Sequence, residues 1–340
     1  MKYIVAVLCL QFLIVFHELG HFWFARLFGM RVARFSVGFG PRLLGWTRGE
    51  TTYQMAAIPF GGFVQIVGMS PEEGIDPKDP NIYPNKPMWQ RFIVVLMGPV
   101  MNFVLAFAFL TWAYGSGVQD ADPSRPAIGS VQPGSAAESI GMVAGDSIVS
   151  INGKSISNFE DLRSSVQSSD ITAPLTVVFA HDGSVSERAI AANVFKQTPR
   201  LLGVSPATRL IKASGVADAI ALGAQATWQK SVSTFQTIAG IFSGHKGGKF
   251  VGLPGIVKII GTESESGITA LLLLLAVLSI NLGLFNLLPM PALDGGRLIF
   301  LGYEGVARRP ANVKVETFVH SAGMLLLFGF ILFVSVRDLL

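Results

Sequence analysis

Residues 3–28, YIVAVLCLQFLIVFHELGHFWFARLF, decide how this chain of 340 residues is read. The run is apolar over the length of a bilayer crossing, yet two histidines and a glutamate interrupt it. The spacing H-E-x-x-H puts His17 and His21 four residues apart on one face of a helix, where both imidazoles reach a single Zn²⁺. Glu18 between them is then placed as general base toward an attacking water. Ionisable groups inside a membrane span are costly and mark function. The run therefore points to metalloprotease chemistry carried out within the bilayer.

Composition agrees with a membrane location. Half of the residues are hydrophobic and only 14% are charged, an unusual balance for a soluble domain. Three further stretches, Phe92–Tyr114, Ile268–Leu288 and Phe318–Val336, each come close to the ~20 apolar residues of a span. The net charge of +4 is modest and unclustered, which gives no reason to expect a nucleic-acid partner; Lys and Arg at a bilayer surface account for it. The one cysteine, Cys9, lies in the first span, so no internal disulfide forms. A cleaved signal peptide is a poor reading of the N-terminus: no small-x-small site follows, and cleavage would detach the H-E-x-x-H motif.

The loop after the first span carries Arg31, Arg34, Arg42, Arg48, Lys78, Lys86 and Arg91, and the loop after the third carries Arg297, Arg308, Arg309 and Lys314. Both lie on one side of the membrane, and their basic bias makes that side cytoplasmic. The two termini and the long middle segment then face outward. Within the first loop, Tyr53–Gly68 is apolar and β-prone, while Pro59, Gly61 and Gly62 exclude a helix. It reads as two short strands around a Pro-Phe-Gly-Gly turn, a hairpin that either dips into the membrane face or rests on it. Such an element can offer an edge to an extended substrate. Ser70–Pro87 follows as a loop.

From Gly115 to about Pro206 the composition turns soluble. Ala127–Gln132, Ser147–Asn152, Leu175–Ala180 and Val185–Ile190 read as strands, with helices at Gly134–Ile140 and Asn158–Gln167, where Asn158 is placed as N-cap. Beyond it, Ala217–Phe242 reads as one amphipathic helix at the outer membrane surface, with a fifth span as the competitor. His245 lies in a Gly/Lys-rich turn at 245–249.

Two histidines leave catalytic zinc one protein ligand short. The later histidines, His181, His245 and His320, have no context suited to the role. Asp294 does, in Asn286-Leu-Leu-Pro-Met-Pro-Ala-Leu-Asp-Gly-Gly-Arg297 at the cytoplasmic end of the third span. Pro289 and Pro291 end the helix and Gly295-Gly296 allow a sharp turn, so the carboxylate can aim back into the bundle. Depth matches: at ~1.5 Å per residue, His17 and His21 lie roughly 20–27 Å along the first helix, in its cytoplasmic half.

Several motifs together resemble the site-2 protease family. They are HELGH in the first span, the IPFGG hairpin, Gly98-Pro99-x-x-Asn102 in the second span, and NLGLFNLLPMPALDGG. Ala127–Ser157 resembles a bacterial PDZ domain, and the order of parts is similar to the bacterial group with PDZ inserted between spans two and three. The resemblance implies a polytopic α-helical membrane protein of about four transmembrane helices, with a membrane-associated β-hairpin and one inserted extracytoplasmic α/β PDZ domain. Its parts would be a membrane core at 1–114, PDZ at 115–206, a membrane-surface segment at 207–267 and a second membrane core at 268–340. It further implies zinc proteolysis of single-span membrane proteins in a bacterial inner membrane, such as pre-trimmed anti-sigma factors or remnant signal peptides. By position, His17, His21 and Asp294 match the metal ligands and Glu18 the base. Asn281 and Asn286 match motif asparagines near the site and, with Gly61 and Gly62, are candidate substrate or oxyanion contacts. A PDZ domain adds a peptide or protein ligand as a further expected partner. Some members carry two PDZ modules; this chain has room for one.

Duller readings stand beside these. The histidines, Asn281 and Asn286 can be polar glue between spans, and Asp294 a turn or cap residue. Asn102 reads as structural and His320 as a satisfied bundle histidine. A membrane-tethered PDZ scaffold without catalysis, or a metal transporter, would use the same outline. The intact H-E-x-x-H with an acid in position argues against the scaffold, and transport would require a polar path, yet no span other than the first carries a charge at its centre.

Overall fold

The computed structural model describes residues 1–69, 76–195, 200–242, 251–309 and 311–338. His245 and its turn, and the first part of the 70–87 loop, lie outside them. The order of elements is α1 (Lys2–Leu27), β1 (Val32–Arg48), β2 (Thr51–Ile66), α2 (Met88–Ser116), β3 (Val118–Ala121), β4 (Ile128–Val131), α3 (Ala136–Ser139), β5 (Ser147–Ile151), β6 (Lys154–Ser155), α4 (Phe159–Gln167), β7 (Leu175–His181), β8 (Ser184–Ile190), β9 (Val204–Pro206), β10 (Thr208–Ile211), α5 (Val216–Phe242), α6 (Leu253–Glu265), α7 (Ile268–Leu287), α8 (Asp294–Ala307) and α9 (Val313–Arg337). The chain forms two compact units, one from residues 1–116 and 213–340, the other from 117–212.

Four helices of the first unit, α1, α2, α7 and most of α9, are long and apolar enough to cross a membrane, as a polytopic membrane protein requires. Small residues set how closely they approach. A Cβ on Gly20 of α1 would overlap the Met97 carbonyl of α2, so these helices meet backbone to backbone at the level of the histidines. Above that level Ala6, Leu13, Leu105, Ile260, Leu271 and Leu275 close a core between α1, α2, α6 and α7. Below it Ala25, Met30, Val32, Ile66, Val94 and Leu301 close another.

The segment read as a surface helix is α5, which is not among the helices long and apolar enough to cross a membrane. α5 packs lengthwise against the membrane-spanning α2, with Gly223 abutting Thr111 and Ala219 near Gly115. Farther along, Thr227, Trp228, Ser231 and Phe235 line an apolar groove with Phe103 and Phe107. Its hydroxyls satisfy themselves. Thr227 Oγ1 donates to the Gly223 carbonyl at 2.7 Å and Ser231 Oγ to Thr227 at 2.7 Å, which hides hydroxyls inside the helix's own ladder. A second helix, α6, follows where none was expected.

The β element also departs from a simple hairpin. The tight reversal is at Gly49-Glu50, between β1 and β2, which pair antiparallel with a broken register. Residues 34–37 of β1 face Gln65 back to Gly62 on one side and Thr52 forward to Met55 on the other. The chain therefore does turn back near Pro59-Phe60-Gly61, but the two arms of β2 do not pair with each other; the first arm of β1 lies between them. A local reading sees the turn and misses the inserted strand, whose partners on its two sides are 18 and 25 to 31 positions away. Arg31 anchors the end of this sheet, bonding Asp79 at 2.7 Å and holding that carboxyl below its ordinary range.

In the second unit β6, β5, β7 and β8 form a four-stranded sheet in that order, closed over Ile148, Ile151, Leu162, Val166, Leu175 and Val177. Asn158 caps α4, accepting from the Asp161 N–H at 2.8 Å. Two ribbons, β4 with β9 and β3 with β10, of which only β4 was read from sequence, carry the unit to residue 212 rather than 206. Their strands are three or four residues long and pair across more than 70 positions, so periodicity alone does not reveal them.

Candidate active site

His17, Glu18 and His21 fall within about 100° of arc on α1, facing α2. That helix is shaped to receive them. A Cβ on Gly98 would overlap the His21 ring and press within 3.0 Å of His17, so only glycine leaves room for the two imidazoles. The rings are buried, at 6% and 7% exposure.

Each ring is fixed through its Nδ1. His21 Nδ1 donates to the Val94 carbonyl of α2 at 2.8 Å, leaving Nε2 free as a ligand. The Asn102 amide lies 3.0 Å from His17 Nδ1. With Nε2 committed to a metal, Nδ1 keeps its proton and requires an acceptor. In the structure the Asn102 Nδ2 faces Nδ1, and a half-turn of the amide brings round Oδ1, an atom otherwise buried without a partner, as that acceptor. Ser279 of α7 bonds the Asn102 carbonyl at 2.8 Å. Asn102 thus has an orienting role that the sequence reading left as merely structural. The signal available was an asparagine four residues after Gly98 in an otherwise apolar span.

Asp294 arrives from the far end of the chain as the first residue of α8, a favourable place for a carboxylate against the helix dipole. Gly295 and Gly296 press against the carbonyls of Leu287, Leu288 and Met290 so tightly that no side chain fits. That backbone contact turns the chain from α7 into α8 and points Asp294 at the histidines.

The three ligand atoms meet. His17 Nε2 and His21 Nε2 lie 3.1 and 3.4 Å from Asp294 Oδ2 and 3.3 Å from each other. Tetrahedral zinc with ~2.0–2.1 Å bonds separates its ligands by about 3.3 Å, so the triangle has the dimensions of one face of that polyhedron. Asp294 Oδ2 is buried with no hydrogen-bond donor, which a cation would compensate. Among the described residues this is the one cluster of three or more metal-binding side chains. The donor set fits Zn²⁺, with a fourth position left for water.

Glu18 sits beside this triangle, and its Oε2 accepts from the Val64 N–H at 3.1 Å. Gln11, two turns earlier on α1, donates to the Gly61 carbonyl at 2.7 Å. Seven helical residues rise about 10.5 Å and three strand residues about 10 Å, so the last arm of β2 lies along α1 in matched register. Gly62 sits there as well, its Cβ position 3.8 Å from Glu18 Cγ.

The remaining predicted residues are less directly placed. Asn286 Nδ2 donates to Leu282 of its own helix at 3.0 Å, and Asn281 is half-buried on α7. His181 pairs with buried Asp146 at 2.6 Å in the second unit. His320 accepts from the Ala292 N–H, close in sequence to Asp294 but not to the ligand triangle.

Comparison with known proteins agrees with this geometry. The sequence model described as peptidase family M50 matches residues 5–330. Three curated relatives share the printed name "Putative zinc metalloprotease". One from Fusobacterium nucleatum is 36% identical over 99% of this chain and 98% of its own length. One from Rhizobium meliloti is 32% identical over 97% of this chain and 94% of its own. One from Campylobacter jejuni is 31% identical over 99% and 93%.

Proposed function

Because this chain belongs to peptidase family M50, the site-2 proteases, we propose that it hydrolyses peptide bonds within the transmembrane segment of single-span membrane proteins, as a step of regulated intramembrane proteolysis. A zinc-dependent metalloprotease is what the family establishes; the depth of cleavage and the substrate are the added reading. One observation carries it: two of the three ligand side chains and Glu18 stand on α1, a helix fit to span a membrane, with both histidines buried.

His17, His21 and Asp294 would hold Zn²⁺, which would supply Lewis-acid polarisation of the scissile carbonyl and a more acidic water. Glu18 takes a proton as the water oxygen attacks the carbonyl carbon, then delivers it to the leaving nitrogen as the C–N bond breaks. Asn281 and Asn286 are proposed as contacts for the substrate backbone or the developing oxyanion. A substrate helix must unwind to expose a peptide bond. The arm Gly61–Val64, lying beside Glu18, is suited to pair with the unwound stretch as an added strand. In this reading the basic loops are cytoplasmic, and the second unit is an extracytoplasmic PDZ domain that engages a peptide or protein. The membrane is the bacterial inner membrane, and trimmed anti-sigma factors and signal-peptide remnants are the substrate class.

The test is cleavage of a purified single-span substrate. Glu18→Gln is expected to retain zinc and lose cleavage, and Asp294→Ala to lose the metal. Wild-type turnover by Glu18→Gln would remove the base assignment, and products cut only outside the span would remove the intramembrane reading.

A further inference from the structure

Ala292, two residues before Asp294, holds φ at +73°, the left-handed region that a side chain disfavours. It lies in the connection from α7 to α8, between Pro291 and Leu293. Within the loop the Leu293 N–H bonds the Met290 carbonyl at 3.3 Å, closing a turn with Pro291 and Ala292 at its corners, and a contact from outside the loop adds to it. The Ala292 N–H donates to His320 Nδ1 of α9 at 3.1 Å.

The rest of α9 makes the contact more telling. Phe318, Leu325, Leu326 and Phe333 are exposed on it, as on a helix turned largely toward lipid. At one level it meets the loop: Gly323 is packed so close to Pro291 that no Cβ fits, and the His320 ring lies 5.6 Å from Phe300 of α8. A neutral imidazole has one N–H and one acceptor nitrogen. Since Nδ1 accepts, the proton is on Nε2, and that atom is buried without a partner. The ring forgoes one hydrogen bond while making the bond to Ala292.

We propose that His320 is a positioning residue for the metal site, holding the strained turn before α8 so that Asp294 enters with its carboxylate against His17 and His21. If Ala292 relaxed to negative φ, the Leu293 peptide would rotate and swing the carboxylate away from its 3.1 and 3.4 Å contacts. His320 would not touch metal or substrate; it acts through the backbone. The inference rests on Asp294 being the third ligand.

Zinc affinity of the purified full-length protein in detergent, measured by competition with a chromophoric chelator, tests it. His320→Leu is expected to bind zinc about tenfold more weakly, the size of effect seen when outer support of a ligand is lost. His320→Asn, whose Oδ1 can accept in place of Nδ1, is expected to stay near wild type. Ala292→Gly added to His320→Leu should recover most of the loss, because glycine adopts positive φ without strain. Wild-type affinity in His320→Leu, an equal loss in His320→Asn, or no recovery from Ala292→Gly would each overturn the proposal. Asp294→Asn is the companion measurement. Undiminished zinc binding there removes the ligand and the proposal together, whereas loss there with none in His320→Leu overturns the proposal alone.

Discussion

A single methyl group at position 98 would occupy space that the His21 ring already fills. Gly98→Ala is therefore expected to displace an imidazole, and purified protein should carry well under one equivalent of zinc by metal analysis. Asn102 acts one step farther out. Asn102→Ala removes the acceptor for His17 Nδ1, and zinc affinity should fall roughly 10- to 100-fold with the fold retained. Competition with a chelator reads the affinity and circular dichroism the fold. At this scale much was legible early. The H-E-x-x-H spacing names two ligands and a base because helix periodicity is a local property. The role of Asn102 was not legible, because a buried asparagine in a span serves equally well as glue between helices or as a partner for a ligand. Only its 3.0 Å distance from His17 separates the two.

Among the elements, α8 carries Asp294, the proposed third ligand, at its first residue and is tied down near its last turn. Arg91 of α2 makes a two-point bond with Glu304 of α8, at 2.9 and 2.5 Å, with both side chains mostly enclosed. Removing one partner strands a charge in a poorly hydrated place. Arg91→Ala should cost about 2 kcal/mol, toward the lower end for a pair that keeps some exposure, seen as a lower unfolding midpoint in detergent. Replacing both, Arg91→Met with Glu304→Leu, should restore most of it, since an apolar pair leaves no charge unpaired. The β arms teach a related lesson. Pro59, Gly61 and Gly62 announced a reversal, yet which strand lies beside which was decided by pairing with β1. The polar residues of α5 argued against a fifth span, and α5 is not among the candidate spans. Their hydroxyls bond back to the helix's own carbonyls, and a hydropathy reading has no means of seeing that.

For the molecule as a whole, a bundle of four candidate spans and a separate unit at 117–212 predict a simple cellular consequence. Cells carrying Glu18→Gln should accumulate shortened single-span membrane proteins that wild-type cells clear, as read by comparative membrane proteomics; identical profiles would count against cleavage within spans. The sequence by itself determined the spans, the paired histidines with their glutamate, and a soluble insert, because apolar length and helical or strand period are written in neighbouring residues. It also singled out Asp294, through zinc's need for another ligand and the turn residues around it. Only the tertiary structure decided that His17 and Asp294, 277 positions apart, approach to 3.1 Å. It alone decided that Gly98 makes the room, and that a histidine on α9 holds the turn in between. Those outcomes depend on how closely helices pack and on which buried polar atoms find partners, and neither quantity is carried by any local stretch of chain.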